Sequence, residues 1–118
     1  MLRVLIADDS AEIGETLRRA CKLSPRLEVI GQARDGAVAL EAAREFKPDV
    51  VILDIHMPRM SGIEVLKAIK REGLNCTVLM FSGVEVEVYR EKCLALGADY
   101  YFDKATEFDK FLETLRAL

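Results

Sequence analysis

A chain of 118 residues has room for one hydrophobic core, and with 51% hydrophobic and 31% charged residues its composition is globular, not disordered or fibrous. A net charge of −3, with no long run of Lys or Arg, lacks the electrostatic footprint that a phosphate backbone demands, so direct nucleic-acid binding is not expected. The longest apolar runs, Val50 to Leu53 and Val78 to Phe81, fall far short of the roughly 18 residues of a membrane span.

The amino terminus begins a strand at once, leaving no room for a signal peptide, so the expectation is one cytoplasmic domain over residues 1–118. The first strand is Leu2 to Ala7, followed by Asp8 and Asp9 and by a helix that Ser10 opens, with Ile13, Leu17, Ala20 and Cys21 on one face. Leu27 to Gln32 mixes Glu28 and Gln32 among apolar residues and so reads as an edge strand. Asp35 opens a second helix through Phe46. Val50 to Leu53 and Val78 to Phe81 are apolar without interruption and belong centrally. Between them, Ser61 and Glu64 form a capping box for a helix that Gly73 closes.

Val84 to Val88 alternates like a strand, whereas Val86, Tyr89, Cys93 and Leu96 repeat like a helix ended by Gly97; the helix is the reading adopted. Glu85, Glu87, Glu91 and Lys92 form its solvated face. A fifth strand ends before Lys104, and Thr106 caps a last helix with Phe108, Phe111, Leu112 and Leu115 on its inner face. Five alternating units predict an α/β fold: a single doubly wound (βα)5 domain, its five-stranded parallel sheet covered by helices on both faces. Cys21, Cys76 and Cys93 show no CxxC spacing and read as reduced core thiols.

In such a sheet, ligands bind at the carboxyl ends of the strands. Asp8 and Asp9 follow the first strand, Asp54 the third, Ser82 the fourth and Lys104 the fifth. Carboxylates held about 5 Å apart repel by roughly 3 kcal/mol per pair at an effective dielectric of ~20, about two pK units. A hard divalent cation with oxygen ligands relieves that repulsion, and the Lys104 ammonium adds a second positive charge, so the set reads as a Mg²⁺ site. Mg²⁺ prefers one or two carboxylates plus a phosphate oxygen, which leaves room for a phosphoryl group. Asp54, placed between the acidic pair and Lys104, is the best candidate nucleophile.

The motifs Ala7-Asp8-Asp9-Ser10, Asp54-Ile55-His56-Met57-Pro58 with Gly62, Phe81-Ser82-Gly83, Gly97-Ala98-Asp99 and Tyr101-Phe102-Asp103-Lys104, in this order, resemble the response-regulator receiver domain from Val4 to Leu118. The resemblance implies a flavodoxin-like sheet in the order 2-1-3-4-5. It implies that Asp54 is the phosphoacceptor, that Asp9, Asp54 and the His56 carbonyl bind Mg²⁺, and that Asp8 reaches the ion through water. Ser82, with Gly83 beside it, and Lys104 would contact the phosphoryl oxygens.

The donor it implies is a phosphohistidine on a sensor histidine kinase or phosphotransfer protein, and the output an unknown partner protein. Tyr101 matches an aromatic whose rotamer follows phosphorylation and alters the surface of the fourth helix, fifth strand and fifth helix. Such a domain catalyses its own phosphorylation and dephosphorylation and is otherwise a signalling switch rather than an enzyme. The alternative is a degenerate receiver acting as a phosphorylation-independent interaction module. Two departures stand out: Ala105 follows Lys104 where many members have Pro, and Gly83 replaces a more usual Ala.

Overall fold

Strand residues that alternate between two apolar faces can be buried only between two layers of helices, and this pattern builds the molecule. The computed structural model describes residues 1–83 and 85–118; Val84, at the start of the segment with two possible readings, lies outside the described residues. The elements are β1 (Leu2–Ala7), α1 (Ala11–Lys22), β2 (Leu27–Ala33), α2 (Gly36–Phe46), β3 (Val50–Leu53), α3 (Gly62–Arg71), β4 (Thr77–Ser82), α4 (Val86–Ala95), β5 (Tyr100–Asp103) and α5 (Phe108–Ala117). All pairings are parallel, in the order β2-β1-β3-β4-β5. This is the doubly wound sheet expected, with β2 at an edge and β3 and β4 inside.

Side-chain parity divides the core in two. Val4, Ile6, Val50, Ile52, Leu79, Phe81 and Phe102 face α1 and α5, meeting Leu17, Cys21, Phe111 and Leu115. Leu5, Ala7, Val51, Leu53, Val78, Met80 and Tyr101 face α2, α3 and α4. One irregularity, between Val4 and Leu5, lets β2 insert an extra residue against β1. Among the described residues no helix is long and apolar enough to cross a membrane.

Helix starts follow local chemistry. The side chains of Ser10, Asp35 and Ser61 accept the N–H of Ile13, Val38 and Glu64, and Glu64 returns the bond to complete the capping box. The assignment of Thr106 as the cap of the last helix is corrected: Glu107 occupies that position. The Thr106 hydroxyl instead donates to Asp103 Oδ2 at 3.0 Å, while Ala105 N–H donates to Asp103 Oδ1 at 2.9 Å, a turn that pre-empts the cap. Segment 86–95 is helical, as its apolar repeat indicates. The cysteines are free, but only Cys21 and Cys93 are buried; Cys76 is half-buried and not a core thiol.

Ser61→Ala should lower stability by about 1 kcal/mol through loss of the cap, whereas Thr106→Ala should change it by less than about 0.5 kcal/mol. Urea unfolding of the two variants tests this, and equal losses would contradict the assignment.

Candidate functional site

The parallel ladder continues past the ends of β1, β3 and β5 and so fixes the first residue beyond each. Asp8 N–H donates to Ala33 O, Asp54 N–H to Ala7 O and Lys104 N–H to Ser82 O, at 3.0, 2.9 and 3.0 Å. These bonds hold Asp8, Asp54 and Lys104 on the carboxyl rim. Carboxylate oxygens of Asp8, Asp9 and Asp54 all lie within 4.8 Å of one another. Asp8 and Asp54 are buried and Asp9 is exposed, so the cluster opens to solvent on one side.

Lys104 crosses β4 to reach both buried acids. Its Nζ is 3.1 Å from Asp54 Oδ2 and hydrogen-bonded to it, and 2.7 Å from Asp8 Oδ2 in a close ion pair outside good hydrogen-bond alignment. The other oxygens are tied locally: Ser10 N–H donates to Asp8 Oδ1 and Ile55 N–H to Asp54 Oδ1. Burial, then the neighbouring Asp8 charge, pushes the Asp54 carboxyl above its ordinary value, although Lys104 and the Ile55 N–H oppose this. Burial disfavours the Lys104 charge, but its bonds to Asp8 and Asp54 prevail and raise its affinity for the proton.

These features fit Mg²⁺. The donor atoms are hard oxygens, Asp8 Oδ2 is buried without a hydrogen bond, and one ammonium must balance three clustered carboxylates.

Ser82 is the last residue of β4 rather than the residue after it, and it is fully buried. Among the described residues its hydroxyl has no hydrogen-bond partner, and neither has the hydroxyl of Tyr101, whose ring is turned into the protein. The two hydroxyls are near enough for Ser82 to favour the ionised phenol, although their geometry falls short of a well-formed hydrogen bond. Burial pushes the Tyr101 phenol up to about 12, with Ser82 opposing the rise. Gly83 is exposed beside Lys104, and a Cβ there would sit in ordinary contact, 3.5 Å from Lys104 Cβ. The Lys104–Ala105 peptide is trans. The His56 ring is exposed and meets Tyr89 edge-on at 5.8 Å; its nitrogens are not part of the acidic cluster.

Sequence reasoning missed the clamp on the loop after Asp54. Arg59, at φ 65, donates to Asp35 Oδ2 at 2.8 Å, and Gly36 N–H donates to Pro58 O. Gly62 lies against Asp54 itself, so that a Cβ there would meet Asp54 O at 1.9 Å. The only available signal was the small size of Gly36 and Gly62, because nothing local announces that Arg59 pairs with a residue 24 positions earlier.

Fold and site together define a flavodoxin-like α/β domain with an acidic pocket at the carboxyl edge of its sheet. The chain belongs to the response regulator receiver domain family, whose model matches residues 4–116. Members are signalling modules of two-component systems that bind Mg²⁺ at such a pocket.

The chain is 44% identical over 100 residues to protein-glutamate methylesterase/protein-glutamine glutaminase 3 of Syntrophomonas wolfei, a match covering 83% of this chain and 28% of the relative. It therefore spans well under a third of that protein's length. The response regulator domain of Thermotoga maritima CheB superposes with a TM-score of 0.89 at 33% identity, covering 99% of this chain and 95% of that one. A chain of the CheX-CheY-BeF3-Mg complex from Borrelia burgdorferi superposes with a TM-score of 0.82 at 29% identity, covering 96% and 88%.

Two outcomes test this geometry. Gly62→Ala should cost about 3 kcal/mol, because its Cβ collides with the Asp54 backbone, and urea unfolding measures it. Asp54→Asn should stabilise the metal-free protein near neutral pH. The folded protein holds the Asp54 proton above the ordinary value of 3.8, so the contribution of this group is fully present below that pH and is lost as pH rises through the folded value. The gain from Asn should therefore vanish below pH 3.8. A gain independent of pH in unfolding experiments with chelator would refute the account.

Proposed function

We propose that residues 1–118 form one receiver unit of a cytoplasmic two-component relay, in which Asp54 accepts a phosphoryl group from a phosphohistidine on a sensor kinase or phosphotransfer protein. The observation that carries this reading is Lys104 spanning two buried carboxylates that share a rim with a third. A purely structural ion pair does not need the additional acids or an opening to solvent.

Asp9, Asp54 and the His56 carbonyl would hold Mg²⁺, with Asp8 acting through a water. When bound, the ion neutralises clustered charge and polarises phosphoryl oxygens. Attack uses the ionised Asp54, since only the carboxylate is nucleophilic; burial works against that form and Lys104 favours it. An Asp54 oxygen then bonds to phosphorus as the bond to the donor's imidazole nitrogen breaks, and that nitrogen takes the electron pair. Lys104 exchanges its hold on Asp54 for a phosphoryl oxygen, so positive charge already stands where negative charge arrives. In the reverse sense water attacks phosphorus and Asp54 departs as carboxylate, which is the limit of the domain's own catalysis.

The unpartnered Ser82 hydroxyl supports the switch reading. Once a phosphoryl oxygen is present, Ser82 can give it a charge-assisted hydrogen bond of about 1.5–3 kcal/mol, a roughly 10- to 150-fold change in population between two states. Gly83 leaves the phosphoryl group accessible on that side. The movement would pass through Tyr101 to the α4–β5–α5 surface, where an output partner protein docks.

Incubation with acetyl phosphate and Mg²⁺ should add one phosphoryl group to the intact mass of the protein. Asp54→Asn and chelator should each abolish the adduct, and Lys104→Ala should slow its formation by about 10²–10³-fold. An adduct that persists in Asp54→Asn would sink the assignment. No adduct from a folded wild-type protein would favour the phosphorylation-independent interaction module.

A further inference from the structure

Tyr101 is buried beneath α4, yet α4 is weakly anchored. It buries only Cys93, and its first turn comes after Glu85 at φ 47 with no side-chain cap. Among the described residues its one ion pair to another element is that of Arg90 with Glu107, at the start of α5. The Arg90 guanidinium carbon lies 5.6 Å from the centroid of the Tyr101 ring, within the reach of a cation–π contact. Among the described residues the buried Nε of Arg90 has no hydrogen-bond partner, and the head group is held by the Glu107 contact at one end and by the ring on one face.

Glu107 is a fixed anchor. Its Oε1 accepts the Asp103 N–H at 3.0 Å as well as Arg90, and its Oε2 lies 3.6 Å from Lys110 Nζ. The Asp103 N–H, followed by Arg90, holds the Glu107 carboxyl below its usual range against burial. Asp103 precedes Lys104, so the anchor is tied to the backbone that presents the site's ammonium. Val86, Glu87, Leu94 and Thr106 line the open groove above this arrangement, a space of about 740 Å³.

We propose that Arg90 is a positioning residue for the switch: clasped by Glu107, it lies over the ring of Tyr101 and biases it toward the buried position. The proposal rests on the phosphoacceptor reading and adds a determinant of its resting equilibrium. For Tyr101 to swing outward past α4, the guanidinium must leave the ring, and its bond to Glu107 must bend or break. Exposed or half-exposed cation–π contacts correspond to roughly two- to fivefold in a two-state ratio.

The test uses the full chain with fluorotyrosine incorporated, the Tyr101 resonance being assigned by Tyr101→Phe. Spectra are recorded without phosphodonor for the wild type, Arg90→Ala, Arg90→Lys, Glu107→Gln and the charge exchange Arg90→Glu with Glu107→Arg. Arg90→Ala and Glu107→Gln should each shift the Tyr101 population outward by about two- to fivefold, and Arg90→Lys should restore part of it. The charge exchange should be more stable than either charge reversal alone, since the α4–α5 pair returns although the Asp103 N–H bond does not, but should not recover the Tyr101 signal, since no cation then lies on the ring. Recovery of both, or an unchanged Tyr101 signal in folded Arg90→Lys and Glu107→Gln, overturns the proposal. The intact-mass assay on the same samples separates the two ideas: a wild-type protein that takes no phosphoryl group refutes the phosphoacceptor reading, whereas the resting Tyr101 signal reports on the clasp alone.

Discussion

Two carboxylates are buried at one point of this protein, Asp8 at 3% and Asp54 at 6% exposure, and a single ammonium balances them. At 4.8 Å and an effective dielectric of ~20, each pair of charges in the cluster repels by about 3 kcal/mol. Lys104 is therefore required by electrostatics before any question of function arises. It stands directly after β5, on the far side of β4 from the acids that follow β1 and β3. The Lys104 side chain passes the end of β4 at Ser82 and Gly83, where a Cβ added to Gly83 would make ordinary contact with it. The strand order and the residues at four strand ends thus answer to one constraint.

A site built on that constraint is charged unfavourably at rest. The raised Asp54 carboxyl and the unbonded hydroxyls of Ser82 and Tyr101 are each uncomfortable in a buried setting. In the proposed function, a phosphoryl group with its cation would supply both missing elements, charge balance for the acids and an acceptor for Ser82. Strain at the site and readiness for the ligand are the same physical property, which is why the acid cluster contributes little to holding the fold together. The stabilising work falls to the two apolar layers and to remote clamps such as the Arg3 guanidinium on the carbonyls of Phe46 and Lys47, which closes the end of α2.

Legibility in the sequence depends on how local each signal is. Val50 to Leu53 and Val78 to Phe81 announce buried central strands because a face open to water would not tolerate unbroken apolar residues, and the polar residue after each run marks the rim. Capping by Ser10, Asp35 and Ser61 is equally local. Thr106 misleads because a second local motif competes: Asp103 captures its hydroxyl, so the side chain that could cap acts as a donor in the preceding turn. Arg59–Asp35 and Arg90–Glu107 are not legible at all. A surface arginine has the same appearance in sequence whether it pairs across the fold or with water, and separations of 24 or 17 positions carry no trace of the choice.

The two faces of the sheet are unequal in a way that bears on where motion can go. Beneath α1 and α5, Phe81, Phe102 and Phe108 surround Phe111, with ring centroids 4.7, 5.5 and 6.1 Å from it. Each such pair is worth about 0.5–1.5 kcal/mol beyond its burial, so displacing α5 would break the contacts of Phe111 with both Phe81 and Phe102 at once. The opposite face has α4, with one buried side chain, lying over Tyr101. Ser82 follows Val78 and Met80 in parity and so belongs to this second face, as does Tyr101, whereas Phe102, one residue on, anchors the first. In the proposed switch, a displacement beginning at Ser82 would therefore meet the less constrained layer. The period of two along β4 and β5, rather than any special flexibility, would direct it toward α4.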